Sequence, residues 1–332
     1  MKFTVVTPSF GQLDWLELCL ASVRDQVAHA ATQGAGSMEQ GAEIPERQKE
    51  ERTGEVCSAL HGLKVSGERG AARLLTVEHI VCDGGSPGIE DFKQRMLERF
   101  PESPTYRLEF VIGPDAGMYD AINKGLRRAD GEVCSYLNCD EQLLPGSLAA
   151  VRDYFAKHAD TDVIFGDTIV VGREGEPLCY WRPYVPSLAH LAGATLNTLS
   201  CSTFFRRRVV EAGHLFEPQW KAVGDLRWIR GLLEKRRPMA CLPRPLGAFT
   251  FLGDNLGAGA KAREEFEASR ESSSGPGRWF RRGWHGVRKL FSGAYVRRKV
   301  TYDLFALSDP SRRRRFTCDS LGWTWPGLTK SP

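Results

Sequence analysis

Short apolar runs alternate with amphipathic stretches along the first half of the chain. Residues 3–6 (FTVV) read as a buried strand, and Leu13, Leu16, Leu20 and Val23 recur at helical spacing, which predicts a helix over 13–27. The turn Pro8-Ser9-Phe10-Gly11 joins them. From residue 28 to about 73 large apolar residues are sparse, so the stretch lacks the surface needed to offset ordering entropy. It predicts a surface insertion, partly disordered or loosely helical. The pattern resumes at LLTVEHIVC (74–82), a strand ending in Asp83-Gly84-Gly85-Ser86-Pro87, where Ser86 as N-cap and Pro87 at the first helical position predict a helix to about residue 100. Strands follow over 106–112, 132–137 and 162–165, with helices over 119–128 and 145–157. Strands alternating with helices of this length predict a mostly parallel α/β sheet, whose ligands bind beyond the strand carboxyl ends. Three polar turns fall at such ends: Pro8-Ser9, Asp83-Gly84-Gly85 and Asn138-Cys139-Asp140. After Gly166 a hairpin over 167–181, turning at Gly172 and Gly175, and a helix over 225–234 predict a second wall for the same crevice.

Composition adds a compartment and an uneven charge. The 332 residues suit one large or two ordinary domains, and 45 Lys+Arg against 41 Asp+Glu argue against a wholly basic nucleic-acid binder. Residues 278–315 alone hold twelve Lys/Arg and two acids, a local +10 that leaves −6 on the rest. Nine scattered cysteines without a CxxC pair, several inside apolar runs, point to free thiols in a reducing cytosol. The opening MKFTVVTPSFG is too short in its apolar part for a signal peptide, and no stretch is long and apolar enough to span a bilayer.

Asp140 follows a buried strand, where a carboxylate suits a hard divalent cation that takes its remaining oxygens from phosphate and water. Taken alone it is as readily a polar strand end. Its company decides. TPSFGQ (7–12), HIVCDGGS (79–86), DAGMYDAINKGLRRADGE (115–132), YLNCDEQLLPG (136–146), STFFRR (202–207) and VGDLRW (223–228) occur in one order over residues 1–27 and 74–260. In this the chain resembles the family 2 glycosyltransferases of the GT-A fold.

The resemblance implies a Rossmann-like, mostly parallel sheet flanked by helices, with a nucleotide-sugar half over 1–145 and a smaller acceptor-side half over 146–262. Thr7, Pro8 and Phe10 would line the nucleotide pocket, and Asp83 would accept a hydrogen bond from the base, most naturally uracil. Asn123 and Lys124 would open toward the diphosphate. Asn138-Cys139-Asp140 matches the family's acidic triplet, with Asp140 holding Mg²⁺ or Mn²⁺, Asn138 bonding sugar or ribose hydroxyls, and Cys139 between them in the donor site. Glu141 stands where a second Asp is frequent, and its longer side chain argues for support rather than direct metal contact. Asp225 matches the catalytic base, although Gly224 replaces the acid that often precedes it. FTFLGDN (249–255) resembles a donor-covering loop, with no role for Asp254.

The last 70 residues read differently. Phe280, Trp284, Val287, Phe291 and Tyr295 fall within about 80° on a helical wheel, opposite Arg278, Arg281, Arg282, Arg288 and Lys289. This predicts a basic amphipathic helical tail over 263–332, with 278–299 facing an anionic membrane or docking on the catalytic domain. The expectation is an inverting, hexosyltransferase-like enzyme moving a sugar from a nucleotide-diphosphate donor to a polysaccharide or lipid-linked hydroxyl in cell-envelope assembly. It would be cytoplasmic and peripheral on the inner membrane face, with no nucleic-acid partner. The rival readings are a noncatalytic nucleotide-sugar-binding relative and a membrane-surface scaffold.

Overall fold

The amino-terminal apolar run forms strand β1 (Lys2–Ser9), buried from Phe3 onward. In the computed structural model of the chain it lies well inside a nine-stranded sheet. The structure describes residues 1–39, 74–191, 196–253, 259–269, 290 and 292–326. β2 (Thr76–Asp83) pairs with β1 in parallel along its whole length, Lys2 opposite Thr76 and Ser9 opposite Asp83. β3 (Tyr106–Ile112) adds outside β2, and β4 (Val133–Tyr136) flanks β1 on its other side, both parallel. Beyond β4 come β8 (Thr203–Arg206), antiparallel, then β6 (Val163–Val171), β9 (Met239–Thr250) and the two-residue β5 (Gln142–Leu143). β7 (Pro177–Trp181) pairs off β6 as the expected hairpin. One sheet thus runs through both halves of the chain.

Strand periodicity splits the core between the two faces. Phe3 and Val5 pack with Leu16 and Leu20 of α1 (Leu13–Glu39), Phe92 of α2 (Ile89–Arg99) and Val151 of α4 (Ser147–Lys157). Val6 and Ile80 face the other way, against Ile122 of α3 (Met118–Leu126) and Trp228 of α7 (Gly224–Glu234). Short helices α5 (Leu188–Leu191), α6 (Arg207–Glu211) and α8 (Ala260–Ser269), and a 3-10 turn at Ser200–Ser202, complete the frame. The eight cysteines among the described residues are free thiols. No helix among those residues is long and apolar enough to cross a membrane.

Three sequence expectations change. Helix α1 continues past residue 27 to Glu39, into the stretch read as an insertion, whose residues 40–73 lie outside those described. Helix α2 starts at Ile89 rather than at Pro87, with Gly88 in the left-handed region at φ 77° before it. Ser86 does not cap it: its hydroxyl donates to Asp83 Oδ2 at 2.7 Å and accepts from Gly11 N at 2.7 Å. That hydroxyl therefore ties two turns together.

The largest change concerns the tail. Residues expected in a helical segment form an antiparallel hairpin, β10 (Arg298–Ala306) and β11 (Asp309–Leu321). Val300, Tyr302 and Leu304 alternate at period two and pack on Leu144, Ile169 and Tyr180, a core of their own. Arg313 turns inward, its Nε 2.6 Å from Asp25 Oδ2 on α1, and it donates to the carbonyls of Asp303 and Leu143. Arg315 pairs with Asp303, and Arg312 with Asp309. Of the amphipathic stretch 280–295, only residues 290 and 292–295 are described, so the predicted membrane-facing helix, like Asp254, falls outside. Tyr295 packs edge-on against Trp323, with ring centroids 4.5 Å apart.

Candidate active site

The three turns meet because the strands that carry them are neighbours in register. Leu137 N donates to Val6 O, Gly84 N to Ser9 O and Gly113 N to Asp83 O, which binds the ends of β4, β1, β2 and β3 into one rim. Phe10 is 68% exposed on that rim, a large apolar ring held in solvent beside Gly84 and Asp115. A Cβ on Gly84 would lie 2.9 Å from Asp115 Oδ2 and 3.1 Å from the Phe10 ring, so only glycine lets these two side chains approach the β2 turn. Asp115 is itself oriented by Gly117 N, which donates to its Oδ1 at 2.8 Å.

Several expected donor-site residues stand behind this surface. Thr7 is fully buried, its hydroxyl 2.8 Å from His79 Nε2 and 3.5 Å from Cys19 Sγ, so it braces β1 against β2 and α1. Pro8 is buried beside it, opposite Cys82. Asp83 is 1% exposed and is occupied by its own turn: Oδ1 accepts from Gly85 N and Ser86 N, and Oδ2 from Ser86 Oγ. Asn123 is also buried, and both ends of its amide bind the Phe216 backbone, Nδ2 donating to the carbonyl at 2.8 Å and Oδ1 accepting from the amide at 3.0 Å. It fastens α3 to the second wall and does not face the rim. Lys124 donates to Pro114 O at 2.6 Å and pairs with Asp120, holding the loop that carries Asp115.

The turn after β4 is a polar network. Glu141 is buried; its Oε2 accepts from Asn138 N at 3.0 Å and its Oε1 accepts from the Ser200 hydroxyl. Burial, and then the charge of Asp140, push its carboxyl up to about 8. Asn138 Nδ2 reaches Ser200 Oγ at 3.4 Å, while its Oδ1 is buried with no partner. Cys139 donates to Gln12 Oε1 at 3.3 Å, and its thiol is pushed well up by burial. Asp140 is half-buried, and its main-chain carbonyl accepts from Thr250 Oγ1 at the end of β9.

Such a donor set suits a divalent cation of the magnesium kind. Among the described residues no three His, Cys, Asp or Glu side chains converge as a cage. One carboxylate, Asp140, beside the orphaned oxygen of Asn138, leaves most positions for phosphate and water, which is how Mg²⁺ is usually held. Glu141 has both carboxylate oxygens engaged by protein.

Asp225 opens the facing wall, in the first turn of α7. Its Oδ1 accepts from Leu226 N at 2.7 Å, and the Tyr119 hydroxyl bonds to the same carboxylate. Burial pushes it up to about 6, with these hydrogen bonds and one from its own backbone opposing the rise. Tyr119, on α3, is 3% exposed and stacks on Phe216 at 5.3 Å. Its phenol is raised well above the usual tyrosine range by burial and the Asp225 charge, so it remains a donor. A Cβ at Gly224 would sit 2.5 Å from the Tyr119 ring. That explains why glycine precedes Asp225: the ring occupies the space an acid would need. Tyr136, at the end of β4, packs edge-on to Phe216 at 5.1 Å and feels the charges of both Asp225 and Glu141. The two carboxylate centres therefore flank one strand end.

Gln12, Asp115 and Tyr119 lie inside the quoted motifs but carry no sequence expectation of a role; Ser200 lies just outside them. The only signal for Ser200 was its place two residues before STFFRR.

The glycosyl transferase family 2 profile matches residues 69–212. A PGL/p-HBAD biosynthesis glycosyltransferase of Mycobacterium bovis is 31% identical over 94 residues, which are 28% of this chain and 36% of that protein. Over residues 69–212 the chain is therefore similar to glycosyltransferase family 2. It spans only 36% of that relative's length. Among solved structures, S. aureus TarS 1–349 in complex with UDP-GlcNAc superposes with a TM-score of 0.51 at 15% identity, over 78% of this chain and 61% of that one. A mannosyltransferase from Pyrobaculum calidifontis in complex with GDP-Man and Mn²⁺ gives 0.48 at 16% identity, over 77% and 59%. The first likeness establishes the GT-A type of fold for this chain.

Proposed function

We propose that this protein is a family 2 glycosyltransferase that moves a sugar from a nucleotide-diphosphate donor, UDP-linked by preference, to a hydroxyl of a polysaccharide or lipid-linked acceptor, with inversion. The reading rests on two carboxylate centres near the end of β4, Asp225 in the first turn of α7 and Glu141 next to Asp140, since the charges of Asp225 and Glu141 both reach Tyr136. The exposed Phe10 ring offers a stacking face for the base, and Asp115 stands beside it to accept a hydrogen bond. Asn138 Oδ1 turns an unpartnered acceptor toward a sugar hydroxyl or a cation.

In the transfer step Asp225 takes the proton of the acceptor hydroxyl. The freed oxygen pair forms the bond to the anomeric carbon as the bond from that carbon to the diphosphate oxygen breaks, and the pair leaves with the nucleoside diphosphate. A base near 6 is mostly ionised at neutral pH and still basic enough to assist, worth about 10² to 10⁴ in rate. Tyr119 orients it. Asp140 would hold a divalent cation, which would supply charge stabilisation for the departing diphosphate, worth several kcal/mol in such sites. In the TarS complex the bound donor is UDP-GlcNAc, which supports trying UDP-sugars first.

The excess of basic residues over 278–315 supports work at an anionic membrane face in cell-envelope assembly. High-salt washing of membranes releases the protein if this attachment is electrostatic. The deciding experiment screens nucleotide sugars with purified protein and Mn²⁺ or Mg²⁺ and follows nucleoside diphosphate release. Donor binding without release under any acceptor marks a noncatalytic relative, and no donor binding with or without metal sinks the enzyme reading.

A further inference from the structure

A cavity of about 680 Å³ opens between the hairpin β10–β11, strand β7 and the middle of β9, apart from the three turns of the donor rim. Its wall carries five cationic side chains, Arg182, Arg244, Arg297, Arg298 and Lys299, against one acid, Asp303. Part of that charge is already answered. Arg182 lies 2.6 Å from the buried Asp167, Lys299 lies 2.9 Å from Asp319, and Asp303 is engaged by Arg315 through both carboxylate oxygens. Arg244, Arg297 and Arg298 have no carboxylate partner among the described residues. Arg297 donates to Ser320 O at 2.9 Å and Arg298 to Gly293 O at 3.1 Å, bonds that fix the guanidinium planes without cancelling their charge. Arg298 also lies 5.2 Å from the centre of the Tyr180 ring, and its Nε is buried with no acceptor.

A guanidinium keeps its proton throughout the physiological range, so three of them facing one cavity repel one another. Their planar forks match phosphate oxygens two bonds at a time. We infer that this cavity binds a phosphate-bearing anion, as a second site separate from the donor crevice. The fixed cations would supply the recognition, and Leu144, Ile169 and Val300 supply an apolar flank beside them. The same chemistry is offered by a soluble diphosphate and by an anionic lipid headgroup.

The test uses the full chain in EDTA, titrated calorimetrically with inorganic pyrophosphate, and floated in parallel with vesicles of phosphatidylcholine with or without phosphatidylglycerol. The wild-type chain is expected to bind, and the Arg244→Ala/Arg297→Ala double variant to lose affinity about tenfold or more, since each lost bond is charge-assisted. Both arginines are exposed, and an unchanged circular-dichroism melt confirms that the variant folds. Asp225→Asn should leave this binding intact. Vesicle binding that needs phosphatidylglycerol and the two arginines identifies a lipid headgroup, and pyrophosphate binding alone identifies a soluble diphosphate. No binding of either probe, or equal binding by the double variant, overturns the inference.

Discussion

The turn after β4 and the first turn of α7 both present carboxylates beside Tyr136, yet they are held by different means. At the first, Asp140 and Glu141 stand side by side, and their mutual repulsion adds to burial in raising Glu141 to about 8. At the second, Asp225 has no acidic neighbour in sequence, and burial raises it to about 6 against its hydrogen bonds. A crowded pair resists ionising twice, and a cation is the natural relief of that crowding. A single carboxylate held by a phenol and a backbone amide is poised instead to exchange a proton. On the proposed function, the first centre would hold positive charge and the second would accept it transiently.

The sharpest break between the two centres is Asp225→Asn. It should lower kcat by about 10² to 10⁴ while nucleotide binding, followed by calorimetry, stays at the wild-type level. Loss of both together would assign Asp225 to folding instead. Asp140→Asn should act on the other side, weakening donor binding and abolishing the response of activity to added Mn²⁺. Chelation of the wild type should mimic it. Glu141→Gln should be milder in metal response than Asp140→Asn, because both Glu141 oxygens are held by Asn138 N and the Ser200 hydroxyl. Equal loss in the two variants would make Glu141 a metal ligand. Next in size is Gly224→Ala, where a Cβ 2.5 Å from the Tyr119 ring forces that ring or α7 to shift. Overpacking of this kind costs about 1 to 3 kcal/mol, read as a lower thermal midpoint. Activity should fall further than stability alone explains, since the displaced ring carries the hydroxyl that orients Asp225.

The alternating frame from β1 to α4 was legible because each apolar run is short and ends in a polar turn. Motif order also placed the polar turns at strand ends, which the parallel register brings together. It did not tell direction. Thr7 and Asn123 occupy motif positions yet point inward, and the reason lies far away in sequence: His79 for the first and the Phe216 backbone for the second. The motif places Asp83 at the base, but its carboxylate is occupied by Gly85 and Ser86, a local competition that sequence order alone does not weigh. The hairpin was missed for another reason. Four consecutive arginines hide the period-two alternation of β11, in which Arg313 goes in toward Asp25 and Arg312 stays out. Helical-wheel clustering over 280–295 then extended a helical reading across residues that pair as strands.

The finest test separates a tyrosine that merely fills space from one that sets the base. Tyr119→Phe keeps the ring that stacks on Phe216 and fits against Gly224, so stability should change by about 1 kcal/mol or less. What it removes is the hydroxyl bond to Asp225, one of the interactions that oppose the effect of burial. Losing a bond to the ionised form favours the protonated form, so the Asp225 pKa rises from about 6. The base is active when deprotonated, hence kcat/KM for the wild type climbs through pH 6 and levels above it. In Tyr119→Phe that limb should lie at higher pH, with a deficit that is largest near pH 6 and shrinks toward pH 8. A uniform loss at every pH would mean that the hydroxyl positions Asp225 without tuning it. An unchanged profile would mean that the phenol and the carboxylate do not act together, leaving the contrast between the two centres to burial alone.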